Sequence, residues 1–117
     1  MQKLLFILNK APYGMEETYN ALRLAGSLLS KQENEVKVFL LGDAASCAKK
    51  EQKVPQGFYN IELMLKNVVR KSGKVGVCGT CMEARGIQEV ELIPGTHKST
   101  LAELTEWTIE AQKVLVF

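Results

Sequence analysis

The first apolar run, Leu4-Leu5-Phe6-Ile7-Leu8, has no polar alternation. A strand of that kind is covered on both faces, as central parallel strands are, and the loop Asn9 to Gly14, with Pro12 and Gly14, ends it. Glu16 and Glu17 open a helix, where acidic side chains suit the positive end of the dipole. Thr18, Ala21, Leu22, Ala25, Leu28 and Leu29 recur at helical spacing and give it one core face to about Lys31, with Leu24 off that face. After a turn at Asn34-Glu35, Val36 to Leu41 reads as a second strand that ends at Gly42-Asp43. Ala44 to Phe58 is the least regular part of the chain, and Lys49 to Gly57 within it is polar and reads as a loop. Asn60 is placed to cap a helix whose core stripe is Ile61, Met64, Leu65 and Val68; Leu63 and Val69 point elsewhere.

Val75 to Cys78 is a short buried strand entered through Ser72-Gly73, followed by one or two helical turns that stop at Gly86. Val90 to Ile93 is expected to be a brief extended segment before the Pro94-Gly95 turn. Thr100-Leu101-Ala102-Glu103 fits a capping box opening a helix with Leu101, Leu104, Thr108 and Ala111 on one face and Trp107 near its edge. Lys113 to Phe117 is a terminal strand. This alternation predicts a single α/β domain, 1–117, with a mainly parallel sheet and helices on both sides. Ligands bind such sheets beyond the carboxyl ends of the strands. That gathers the loops Asn9 to Gly14, Gly42 to Lys50, the Cys78 turn and Pro94 to Ser99, which carry Cys47, Cys78, Cys81 and His97.

Composition narrows the function classes. The net charge is +2 from 15 basic and 13 acidic residues, and neither sign forms a block, so no nucleic-acid partner is expected. The five-residue run Leu4 to Leu8 is too short for a signal or membrane segment. Three cysteines without a signal peptide suggest free thiols in a reducing cytoplasm. There is no G-x-G-x-x-G, no P-loop and no complete metal-ligand set, so neither an organic cofactor nor a metal is expected.

The candidate chemistry lies in Cys78-Gly79-Thr80-Cys81. Cys78 falls where a strand hands over to a helix, so unpaired N–H groups and the helix dipole favour its thiolate, the reactive form. Four readings compete. Structural zinc would need Cys47 and His97 to complete the set. A thioredoxin-like dithiol has the right strand-to-helix placement, but the flanking aromatic residue and the intervening Pro are missing. Buried, inert cysteines suit Cys47 best; they suit Cys78 poorly, because Gly79 leaves its backbone open to close approach by another molecule. The fourth reading is a nucleophilic thiolate that carries sulfur as a persulfide.

The run Val77 to Ile87 resembles the DsrE/YchN-like group of small sulfur-relay proteins. So do Asn9-Lys10-Ala11-Pro12-Tyr13-Gly14, Phe39 to Ala44, Thr100 to Leu104 and the ending Lys113 to Phe117, in order along the whole chain. The resemblance implies a three-layer α/β/α sandwich, flavodoxin- or Rossmann-like, with a parallel five-stranded sheet. It implies assembly as a homotrimer or homohexamer and exchange of sulfane sulfur with a donor or acceptor protein. In the sulfur-transferring branch the persulfide cysteine ends the third strand seven residues before an Arg-Gly pair; only Cys78, before Arg85-Gly86, meets that spacing. Thr80 and Cys81 depart from the small residues common in that branch. Cys81 would then resolve the persulfide or protect Cys78 as a reversible disulfide. A non-catalytic oligomeric module binding a small ligand in the same crevice, or a thiol/disulfide redox protein using Cys78 and Cys81, is the alternative.

Around these cysteines, Arg85 shares a helical face with both and is a candidate for holding a thiolate or an anion; a pairing with Glu83 or Glu89 is the competing expectation. His97 is a candidate acid–base group or a solvated loop residue. Tyr13 and Asp43 are candidate pocket walls, Asp43 equally a turn former. Trp107, Leu24, Leu63 and Val69 exceed what one core needs, which favours burial between subunits over the competing account, extra burial in the core.

Overall fold

A computed structural model describes residues 1–31 and 33–117. Five strands form one sheet in the order β4-β3-β2-β1-β5, and every neighbouring pair is parallel. They are β1 (Gln2–Leu8), β2 (Asn34–Leu40), β3 (Lys74–Cys78), β4 (Thr96–Ser99) and β5 (Lys113–Val116). The helices are α1 (Glu17–Leu29), α2 (Ile61–Arg70), α3 (Gly79–Ala84) and α4 (Leu101–Glu110), with 3-10 turns at Gly42–Ala48 and Glu89–Glu91.

Alternate strand residues point to opposite faces, and here the two faces are covered unequally. Leu4, Phe6, Leu8, Val36, Val38, Leu40, Val75 and Val77 form the main core with the buried stripes of α1 and α2. Those stripes are Ala21, Leu22 and Ala25, and Ile61, Leu65 and Val68, as the periodicity predicts. Asn60 caps α2, its side chain accepting the Leu63 N–H at 3.2 Å. The opposite face has a smaller core of Leu5, Phe39, Leu104 and Trp107 under α4 alone. Helices on both sides of the sheet make three layers, the predicted α/β/α architecture. α4 leaves much of its face bare: Val116 is 65% exposed on β5.

Three expectations need correction. The fourth strand is Thr96–Ser99, beyond the Pro94-Gly95 turn, and not Val90 to Ile93. Leu92 and Ile93 are apolar because they plug the main core, whereas an edge strand such as Thr-His-Lys-Ser is polar and short, which protects a sheet edge. The capping box at α4 is half formed: the Thr100 hydroxyl accepts the Glu103 N–H at 3.2 Å, but the Glu103 carboxylate turns to Ser99 and His97. Trp107 is buried inside the chain, edge-on to Phe39 and over Gly76, where an added Cβ would lie 3.2 Å from the indole. Gly76 is glycine because the indole occupies the space a side chain would take. Leu24 and Leu63 are exposed, and Val69 packs against Gly95.

Candidate functional site

β3 ends at Cys78 and α3 starts at the next residue, so the predicted strand-to-helix junction is present. The junction is tight. A Cβ on Gly79 would stand 2.9 Å from the Ser99 carbonyl oxygen and 3.0 Å from Cε of Lys98. The close approach that Gly79 permits is therefore that of the chain's own β4, not of another molecule. Gly86, with φ of +66°, closes the helix segment where the sequence places its end.

Cys78 lies on the α4 side of the sheet, half-buried and packed against the smaller core. It opens into a cavity of about 630 Å3 walled by Phe39, Leu41, Leu101 and Leu104, with Lys98 and Glu83 at its polar side. Its Sγ lies 3.3 Å from the Thr80 hydroxyl. Burial pushes the Cys78 thiol up, but hydrogen bonding from the Cys81 thiol, the Thr80 hydroxyl and the Cys81 and Thr80 N–H groups outweighs it. The result is a pKa below that of an ordinary thiol.

Cys81, one turn on, packs against the main core and also lines the cavity. Its Sγ accepts the Gly42 N–H at 3.1 Å. Burial raises its pKa, and so does the proton it shares with Cys78, against smaller opposing effects of the Gly42 N–H and the Arg85 charge. Within this pair the environment thus favours the thiolate at Cys78 over Cys81.

Arg85 does not reach the thiols. Its Nε and one terminal nitrogen donate to Oδ1 of Asp43 at 3.1 and 2.7 Å, and the other donates to the Cys81 carbonyl at 3.0 Å. Neither Glu83 nor Glu89 is its partner. Arg85 and Asp43 together tie the end of α3 to the Gly42-Asp43 turn, which keeps the Gly42 N–H on Cys81.

The remaining candidates lie elsewhere. Tyr13 faces the start of α2: its hydroxyl donates to Gln52 at 2.5 Å and accepts the Ile61 N–H at 3.1 Å. Those bonds, with that of its own N–H to the Tyr59 hydroxyl, hold it at φ of +77°. His97 is on β4, opposite Gly76, with its ring edge-on to Trp107 and Nε2 on Glu103, not on a crevice loop. Cys47 is fully buried in the main core, its thiol directed at the Lys10 carbonyl at 3.7 Å. Burial pushes that thiol up to about 12. Cys47 and His97 thus cannot join Cys78 and Cys81 around one zinc ion. Among the described residues no three His, Cys, Asp or Glu side chains converge as metal ligands do, and no helix is long and apolar enough to cross a membrane. Sequence reasoning missed Lys98, Leu101 and the Phe39–Leu41 wall, which a correct β4 would have brought beside Cys78.

The fold and the site define a class: a parallel α/β/α sandwich with a stabilised cysteine thiolate at the end of the third strand. The chain belongs to the DsrE/DsrF-like family, whose model matches residues 2–117. It is 42% identical over 118 residues to Protein YchN of Escherichia coli strain K12, covering 100% of both chains. It is 39% identical over 115 residues to the uncharacterized protein MJ0989 of Methanocaldococcus jannaschii, covering 98% of this chain and 99% of that one. The crystal structure of the ychN protein from E. coli superposes with a TM-score of 0.94 at 41% identity, covering 100% of both chains.

Proposed function

We propose that this protein is a sulfur-relay carrier in which Cys78 accepts a sulfane sulfur as a persulfide and passes it to the thiolate of a partner protein. One observation carries the reading: of the two thiols that line the cavity, Cys78 is the one whose pKa is lowered, whereas that of Cys81 is raised. Cys47 is sealed in the core, and the pKa of Cys81 is raised by burial and by its hydrogen bond with Cys78. Cys81 limits the loaded state, because a thiol one turn away can attack the persulfide and leave a disulfide. The cycle needs both cysteines reduced between turnovers, which suits the cytoplasm. Cyanolysis tests it. After incubation with inorganic polysulfide and desalting, cold cyanide should release about one equivalent of thiocyanate per chain. No thiocyanate from a folded protein with free thiols would favour a module that only binds a small ligand in the same cavity.

The carrier works as a homo-oligomer, a trimer or a hexamer, assembled from copies of this chain. The support is the sheet face that α4 leaves bare: Ile7 and Leu41 are half-covered, and Val114 and Val116 are exposed beside them. Large apolar surface of this kind is normally covered in solution. Multi-angle light scattering at micromolar protein should give three or six times the 13.0 kDa chain mass; a monomer would remove the assembly from the account.

A further inference from the structure

We infer that the cavity over Cys78 takes its sulfur from a low-molecular-weight hydrophobic persulfide, R–S–SH, whose R group carries no charge. The inference rests on the sulfur-relay reading and names the donor for it. The argument is one of satisfied polar groups. The cavity's walls are Phe39, Leu41, Leu101 and Leu104, and Leu101 is 76% exposed at its rim. Each polar side chain at the cavity already has at least one partner in the chain. The Ser99 hydroxyl donates to Glu103, the Thr100 hydroxyl accepts the Glu103 N–H, and the Thr80 hydroxyl lies against Cys78. The Lys98 ammonium pairs with Glu83 at 3.2 Å, so the two charges at the cavity offset each other.

A donor with amides and carboxylates, such as a small peptide persulfide, would shed water against the apolar walls and compete for polar groups already engaged with each other, which is costly. An aromatic or branched aliphatic R group loses nothing polar and gains apolar burial. The volume of about 630 Å3 lies in the range of roughly 300–1,000 Å3 usual for small-molecule sites. The Cys78 thiolate attacks the terminal sulfur of R–S–SH. A sulfur–sulfur bond forms at Cys78 as the donor's own breaks, giving Cys78–S–SH and R–S⁻, which takes a proton from water. Charge and oxidation level balance without a further reagent.

Methanethiosulfonates probe the same attack, since a thiolate displaces methanesulfinate and keeps the R–S group. Rates with the benzyl, trimethylammonioethyl and sulfonatoethyl reagents are measured on the Cys81→Ser protein, each divided by its rate with N-acetylcysteine. The benzyl reagent should be favoured at least about tenfold over both charged ones, less than full burial of a phenyl group would give. Leu101→Asn should remove most of that preference, and Val90→Asn, an exposed apolar residue outside the cavity, should keep it. Equal ratios for the three reagents, or a preference for the sulfonate, would overturn the inference. The cyanolysis experiment separates the two levels. Thiocyanate without benzyl preference overturns only the donor class; benzyl preference without thiocyanate overturns the relay reading and the donor assignment with it.

Discussion

Cys78→Ser is expected to abolish the roughly 32 Da gain that one added sulfur gives in intact mass, whereas Cys81→Ser should keep the gain and hold it longer. The asymmetry follows from the positions of the two thiols. Both thiols line the cavity, but hydrogen bonds lower the pKa of Cys78 and that of Cys81 is raised, so Cys78 is the nucleophile; the Sγ of Cys81 accepts the Gly42 N–H. Once Cys78 carries a persulfide, Cys81 can attack its inner sulfur. Sulfide leaves with the proton, and a Cys78–Cys81 disulfide remains. Serine cannot make that attack. Both variants should fold, because each substitution is close to isosteric and both side chains are only half-buried. Sulfur uptake by Cys78→Ser and none by Cys81→Ser would reverse the assignment.

Trp107→Ala should lower the free energy of unfolding by about 3–5 kcal/mol, the usual cost of deleting a large buried aromatic. The indole fills the space over Gly76, meets Phe39 edge-on at 6.0 Å between centroids and carries the Lys37 ammonium 5.4 Å from its own. Among the described residues, the apolar side chains buried with it on its side of the sheet are Leu5, Phe39 and Leu104, too few to close the gap. Urea unfolding measures the loss. An unchanged midpoint with loss of the oligomer would place Trp107 between subunits after all.

The contrast between Trp107 and the α1 stripe shows what the sequence holds and what it does not. Thr18, Ala21, Leu22 and Ala25 are legible because a helix that buries one face repeats its apolar positions at its own period. The run Leu4 to Leu8 is legible because a central parallel strand is apolar on both sides. Trp107 and Gly76 are 31 positions apart in the chain, and only the sheet brings the indole onto the glycine. The fourth strand escaped for a different reason: an edge strand is held by backbone pairing, and Thr-His-Lys-Ser carries no apolar pattern.

The site divides in the same way. Cys78, Gly79 and Cys81 could be picked out because a strand-to-helix junction is local. The cavity walls come from the ends of β2 and β4 and the first turn of α4, and their meeting depends on strand order. Tyr13 and His97 looked like crevice residues because their loops lead to the right end of the sheet, but a loop's position does not fix where its side chain turns. Tyr13 turns to α2, and His97 belongs to a strand.

Site-resolved alkylation with iodoacetamide, followed against pH in the native protein, tests the central claim most directly. Only the thiolate reacts, so each cysteine's rate rises through its own pKa and then levels off. Cys78, with its pKa lowered, should label first at neutral pH and reach its plateau at the lowest pH; Cys81, with its pKa raised, should lag, and Cys47, at about 12 and sealed in the core, should stay unlabelled until the protein unfolds. If Cys81 or Cys47 labels before Cys78 at neutral pH, Cys78 is not the nucleophile and the account fails.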